Sequence, residues 1–580
     1  MDAKDLTTAE RRVYRAFPRG DEVDFRDGDD DPADGASWGP ERTIRAKVLR
    51  TLLLREGAGR AQIPALRIVG ARITGPLDMR NAVVMHPVRL RACYFEEAPN
   101  LYAARTRQLN FSGSVLPDLV ATEIQMEGAL HLTDCHVLGT VRLVSARITG
   151  ALLLDGARLG SGKGEVLQLN PAHIEHDLWG PCLSAAEQVR LDGAHIGGAL
   201  NLQNAKLTNP GEVCLRGVNL TIGSGIYGER LTSHGEIRLT GARIGGSFNV
   251  SNAALTNPGG PALTAPVINV GLDMLCVRMQ TEGHVRFRGA RIAGVVNLDD
   301  ATLTDPAGTA LQAENLAVGT DLQGMRLRAD GRVDLRGAKI TGQLNLAYAR
   351  LANAGGMALQ ASGCTAAECW LRDAEPIVGS VNLRRAQFDL LHAAPGVWPG
   401  SVKLDGLTYG RLTPHLPARE RLELLERDED GYVPHAYEQL AGAYSRIGDD
   451  AAARLVQLAK QRRHRSTLPW YAKVWGYLQD ATVGYGYRPM RAAAWLAVLL
   501  AIGTMTFGLH HPPPLEHGKA PGFNPVIYTL NLLLPIVDFG QAKAFNPQGP
   551  YQWLSYLLIA AGWILATTVL AGITRTINRQ

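Results

Sequence analysis

Several short stretches of this 580-residue chain carry residue types that do chemistry. Thr482-Val483-Gly484-Tyr485-Gly486 is a string whose backbone carbonyls can replace an ion's hydration shell. His173 and His176, flanked by Glu175 and Asp177, offer metal-ligand side chains three positions apart. His510, His511 and His517 could hold a metal or titrate near neutral pH. Cys364 and Cys369 have the C-x4-C spacing of a redox pair. Residues 159–167, LGSGKGEVL, hold glycines as a phosphate-cradling turn does. Pro535, Asp538, Gly540 and Gln541 stand where a pore loop would.

The elements around these residues decide among such readings. The glycines of 159–167 are spaced GxGxG, and Ala157 stands where a P-loop needs its first glycine. That stretch falls in register with LTNPGE at 207–212, so it reads as a repeat turn. The segment with His173 and His176 is also in repeat register and reads as solenoid surface. No strand, glycine turn and helix with a downstream acid is visible, so no Rossmann unit is expected. We expect no catalytic residue, metal or cofactor. Seven scattered cysteines without a CxxC pair read as reduced, small apolar residues.

The positioning framework is a repeat. SARITG begins at 145, GAHIGG at 193, GARIGG at 241, GARIAG at 289 and GAKITG at 337, each 48 residues after the last. Within a unit, apolar or small residues recur every five or six positions, as at Leu239, Ile244, Val250 and Leu255. This fits short strands with one inward residue each, separated by bends. The units end in turn chemistry, TNPG at 208 and 256 and TDPA at 304. The 63 glycines and 6% aromatic content suit many short strands and tight turns. The reading is mainly β: a right-handed β-helix, pentapeptide-like, with 48-residue repeats of about two coils over 60–410, behind an N-terminal helical cap at 1–59.

The register also creates columns. Asn201, Asn249, Asn297 and Asn345 are equivalent and read as a stacked amide ladder. Arg190, Arg238 and Arg286 form one basic column, and Arg147, Arg243, Arg291 and Lys339 another. Both are candidates for an anionic partner, lipid or acidic protein. A net charge of +5 is too mild to argue for nucleic acid, and none is expected as a partner.

After the solenoid the pattern turns helical. Residues 411–488 contain a hairpin with Tyr437, Leu440, Ala441 and Tyr444 on one face, like a single tetratricopeptide unit. Residues 489–580 form a membrane domain with two expected spans, 492–509 and 553–573, each long enough to cross about 30 Å of hydrocarbon. Basic residues cluster before the first span and after the second, which puts both termini and the solenoid in the cytoplasm. The filter-like string therefore precedes the first span and reads as a glycine turn into it. The segment 524–541 between the spans is interfacial or re-entrant.

On its GARI-type units, WGPERTIRAKVLRTLLL at 38–54, YEQLAGAYSRIGDDAAARLVQLAKQRR at 437–463, GYGYRP at 484–489 and NLLLPIVDFGQ at 531–541, the chain resembles a family of bacterial proteins, common in actinobacteria, labelled membrane-associated oxidoreductases. The resemblance spans nearly the full length. It implies a membrane location and, by its label, redox activity, for which no cofactor motif is present. The expected function is a membrane-anchored scaffold or sensor. The alternatives are a homo-oligomeric two-span channel with a pore loop at 535–541, and an oxidoreductase.

Overall fold

The computed structural model describes residues 5–28, 31–55, 63–160, 164–306, 308–487, 489–516, 520–534 and 537–577. The chain divides into two compact units at His415/Leu416.

The first unit is a parallel β-solenoid of about 16 turns. One turn shows how it is built. Gln125–Met126, Leu130–His131, His136–Val137 and Val141–Arg142 are its four sides. Each side pairs in parallel with its counterpart in the next turn: Gln125 with Arg147, Leu130 with Leu152, His136 with Arg158, Val141 with Leu167. A strand of two residues has one side chain in and one out. The inward residues Met126, Leu130, Val137 and Val141 are buried, and their counterparts above and below fill the same core. No turn could bury that face alone; stacking does it. Left-handed residues such as Asp134 (φ 53°), Ser145 (φ 56°) and Gly156 (φ 63°) bend the chain at corners.

Register partners stand alternately 22 and 26 residues apart along most of the stack. The longer turns carry the extra residues as a loop, closed by an asparagine that bonds four residues ahead. Asn209 Nδ2 donates to Val213 O at 2.9 Å, and Asn257 and Asn353 repeat the bond to Pro261 O and Met357 O at 2.8 Å. The turn that follows must pass close under the loop. Gly235 there has φ 130°, and a Cβ on it would lie 2.4 Å from Asn209 O. Gly283, Gly331 and Gly379 repeat that conformation.

The N-terminal segment is part of the stack as well as a lid on it. Glu22–Asp24 pairs with Leu66–Val69, and Thr43–Arg45 with Arg72–Thr74. Helices α1 (Thr8–Ala16) and α2 (Ala46–Leu53) bury Ala9, Val13, Val48, Leu49, Leu52 and Leu53. Glu10 is fully buried, and both its oxygens bond Arg45.

The second unit is helical. Helix α3 (Ala418–Glu426) precedes the hairpin of α4 (Pro434–Arg446) and α5 (Asp450–Thr467). Tyr437, Leu440, Ala441 and Tyr444 are buried on one face of α4, and Asp449 caps α5 by accepting from Ala452 N at 2.9 Å. Helix α6 (Trp470–Val483) ends at Gly484 (φ 55°), and α7 (Pro489–Leu509), α8 (Pro525–Leu533) and α9 (Pro550–Ile577) follow. The filter-like string is thus the end of α6 and its left-handed cap.

Among the described residues one helix, Met490–Leu509, is long and apolar enough to cross a membrane, where two spans were expected. The second expected span, 553–573, is helical within α9, and its side chains from 568 on lie outside the described residues. Gly503 and Gly562 let α8 lie tightly between α7 and α9. A Cβ on Gly503 would meet Thr529 Cγ2 at 2.3 Å, and one on Gly562 would meet Leu533 O at 2.2 Å. The small residues of the last helix therefore serve an intramolecular contact.

Candidate functional site

On the side containing Arg147–Ile148, the second residue of each strand points inward. Met126, Ile148, Ile174, Ile196, Ile222, Ile244, Val270 and Ile292 make a continuous buried column. The first residue points out, and parallel register sets these residues in one row: Arg105, Gln125, Arg147, His173, His195, Thr221, Arg243, Asn269, Arg291, Ala317, Lys339. Arg147, Arg243, Arg291 and Lys339 share this row as the repeat predicts. Arg105 belongs to it too, although the early turns depart from the period that identified the others.

With adjacent strands about 4.8 Å apart, Arg105 and Arg147, Arg243 and Arg291, and Arg291 and Lys339 are each separated by about 9.6 Å. All five side chains are exposed. None makes a hydrogen bond or ion pair among the described residues. His173 and His195 occupy the middle of the row with rings stacked 4.6 Å apart.

A second outward row runs beside the first: Met85, Arg107, Glu127, Thr149, Glu175. Between the two rows lies a groove of about 720 Å³, floored by Thr106, Met126 and Ile148. Its one ion pair among the described residues is Arg107 with Glu127 at 3.4 Å. Farther along, the second row becomes Gly197, Gly223, Gly245, Gly271, Ala293, Gly319 and Thr341. A Cβ on Gly223 would sit 2.0 Å from Gly197 O, so the glycine turns stack too closely for a side chain. Bare glycine backbone therefore lies beside Arg243, and the small side chains of Ala293 and Thr341 lie beside Arg291 and Lys339.

The other predicted column differs in electrostatics. Register places Arg216 between Arg190 and Arg238, and Thr264 between Arg238 and Arg286. Arg190 bonds Asp192 at 2.9 Å and Glu165 at 3.1 Å, Arg216 lies 3.0 Å from Asp192, and Arg238 bonds Glu236 at 2.6 Å. Those carboxylates raise the pKa of Arg190 and Arg238 above the ordinary arginine value. Arg286 is the exception, with no carboxylate partner among the described residues; its buried Nε, like that of Arg216, makes no hydrogen bond among them. Sequence spacing made the two columns look alike; the carboxylates that separate them stand two residues from Arg190 and Arg238, and on the adjacent turn for Glu165 with Arg190 and Asp192 with Arg216.

The asparagine column is not an amide ladder. Its members stand on alternate turns, with Tyr227, Leu275 and Gln323 between them. Each accepts instead from the backbone two residues on, as Asn249 Oδ1 does from Ser251 N at 3.0 Å.

In the helical unit Pro535 lies outside the described residues, as does His517. Asp538 is exposed and pairs with Lys543 at 2.6 Å, which lowers its pKa. Gly540 donates its N–H to Asp538 Oδ1 at 2.8 Å and has φ 77°. Gln541 is buried, donating to Gly522 O at 2.9 Å and accepting from Asn524 N at 3.1 Å. These side chains close the connection between α8 and α9. His510 stacks on Tyr551 at 4.8 Å.

Cys364 and Cys369 are free and buried. Burial pushes the thiols of Cys93, Cys135, Cys214, Cys276 and Cys364 up to about 12 and raises Cys369 as well, which disfavours thiolate chemistry. Cys182 is the exposed cysteine. Among the described residues no group of three His, Cys, Asp or Glu is placed to hold a metal. No family model, curated protein or solved structure matches the chain.

Proposed function

We propose that the chain is a membrane-anchored scaffold whose solenoid holds an acidic partner protein along the row Arg105, Arg147, Arg243, Arg291 and Lys339. The observation that carries this reading is the contrast between the two basic columns. Arg190, Arg216 and Arg238 are met by the chain's own carboxylates, whereas the five cations of the other row have none among the described residues. Unpaired cations at regular spacing on a rigid face attract and orient an anionic surface. The right-handed winding and the two-turn unit of 48 residues belong to the same proposal, supported by the alternation of short and long turns. Anchoring in a bacterial inner membrane, with both termini cytoplasmic, draws support from the exposed apolar row Trp495, Val498, Ile502, Met505 and Leu509 on α7.

The test is binding of fluorescent poly-L-glutamate to the detergent-solubilised full chain. We expect salt-sensitive binding that weakens roughly 30-fold in the variant R147Q/R243Q/R291Q/K339Q, taking about 0.5 kcal/mol per exposed contact. Equal binding by the wild type and the variant would remove the row from the proposal. Binding to phosphatidylglycerol vesicles that is weaker in the variant than in the wild type, with no binding of either to poly-glutamate, would make the anionic partner a lipid.

A further inference from the structure

Helix α6 presents a largely exposed aromatic face, touched within its own unit by Arg465, whose guanidinium lies 3.8 Å from the Tyr477 ring centroid. Trp470, Tyr471, Val474 and Tyr477 are 77%, 64%, 62% and 61% exposed. Trp470, Val474 and Tyr477 follow i, i+4, i+7 and so form one stripe, with Tyr471 on its edge. The opposite side of the helix is held. A Cβ on Gly476 would lie 2.9 Å from Arg465 Cδ and from Tyr485 Oη. Asp480 takes Arg462 at 2.9 Å and Arg465 at 3.3 Å. The stripe therefore has a fixed orientation.

Two further features point to what meets it. Lys473 flanks the stripe, and its side chain makes no hydrogen bond or ion pair among the described residues, while Asp480, the one acid of α6, is neutralised by Arg462 and Arg465. The stripe also sits at the start of the apolar helix. Left-handed Gly484 and Tyr485 (φ 51°) break the chain between α6 and α7, so α6 is not a continuation of the span. Trp495 Nε1 donates to Ala481 O at 3.3 Å, and Arg491 Nη1 to Asp480 O at 3.3 Å, which fixes the end of α6 to the first turns of α7. At the other end of the unit's apolar helices, Trp553 and Tyr556, 75% and 52% exposed, begin α9. Tryptophan and tyrosine concentrate at the two water–lipid boundaries of a bilayer, where the ring is buried and the polar atom stays wet.

We propose that α6 is an interfacial helix, its Trp470–Val474–Tyr477 stripe set into the headgroup region of an anionic bilayer with Lys473 against lipid phosphate. It would lie in the plane of the membrane surface and fix the depth and rotation of α7. This inference rests on the membrane-anchor reading of α7, and the test separates the two.

The full chain carrying Cys182→Ser is reconstituted into vesicles of phosphatidylcholine and phosphatidylglycerol. An environment-sensitive fluorophore is placed at Val474→Cys, at Val498→Cys on α7, or at Gln479→Cys on the held side of α6. The expected result is loss of aqueous iodide quenching at 474 and 498, with 474 quenched by lipids spin-labelled near the headgroup, 498 by lipids labelled deep in the chain, and 479 by iodide. A label at 474 open to iodide while 498 is lipid-quenched would overturn the interfacial helix and leave the anchor standing. Both labels open to iodide would overturn both. In the same vesicles Lys473→Gln should reduce the blue shift at 474 only when phosphatidylglycerol is present; an unchanged shift would remove Lys473 from the contact.

Discussion

Arg243 and Arg291 on one side, and Arg190 on another, show how much a guanidinium's neighbours decide. The first two are exposed and unpaired among the described residues; the third is held by Glu165 and Asp192. R243E/R291E should therefore change folding stability by less than about 0.5 kcal/mol, measured by thermal unfolding, while weakening poly-glutamate binding roughly 30-fold, as the four-glutamine variant with the same charge change does. D192A should cost about 1–2 kcal/mol, because its carboxylate also accepts from Val218 N at 3.0 Å. A second residue-scale consequence lies at the N-terminal end. Burial alone would raise the Glu10 carboxyl, but the Arg45 guanidinium and the Thr7 and Arg45 amides outweigh it and hold the pKa below 4.5. A carboxyl depressed in the folded state contributes stability above its unfolded value, and that contribution is lost as pH falls through the lower folded value. Glu10→Gln should thus lower stability near neutral pH by about 1–2 kcal/mol, a figure kept modest because Arg45 is one-third exposed. The gap between wild type and variant should close on acidification below pH 4.5.

At the scale of elements, the loops of the long turns impose a rule on the turns that follow. Gly235→Ala should cost at least about 1–3 kcal/mol, because the new Cβ meets a backbone carbonyl and the φ of 130° disfavours any side chain. Ala substitution at Gly211, which has open space around it, meets only the φ penalty and should cost less in the same denaturation series. Gly562→Leu should loosen α8 and expose Phe507, Tyr528 and Leu533 to protease in detergent, at a cost of about 1–3 kcal/mol. Much of this architecture was legible in the sequence. The inward Ile244 and its equivalents and the turn at TNPG are enough to specify short stacked strands. The hairpin face of Tyr437, Leu440, Ala441 and Tyr444 follows from helical spacing alone. The pairing of one basic row was only partly legible: Asp192 and Glu236 stand two residues from Arg190 and Arg238, but Glu165 reaches Arg190, and Asp192 reaches Arg216, from the adjacent turn, where no linear pattern marks the contact. Arg105 escaped for a related reason: its partners Gln125 and Val83 lie in turns off the 48-residue period. The asparagines were misread as a ladder because a repeat of two turns separates equivalent residues by an intervening strand.

For the protein as a whole, we propose different work for its two units: the solenoid supplies a rigid charged face, and the helical unit supplies attachment. An acidic partner would lie on the row of free cations and nowhere else on the solenoid. A fluorophore is placed at Asn269→Cys, between Arg243 and Arg291, or at Gln168→Cys, beside the carboxylate-paired Arg190, each in a Cys182→Ser background. Iodide quenching of each label is then read with and without saturating poly-L-glutamate. Protection at 269 and none at 168 is the expected result. Protection at 168 alone, or equal protection at both, would refute the proposal.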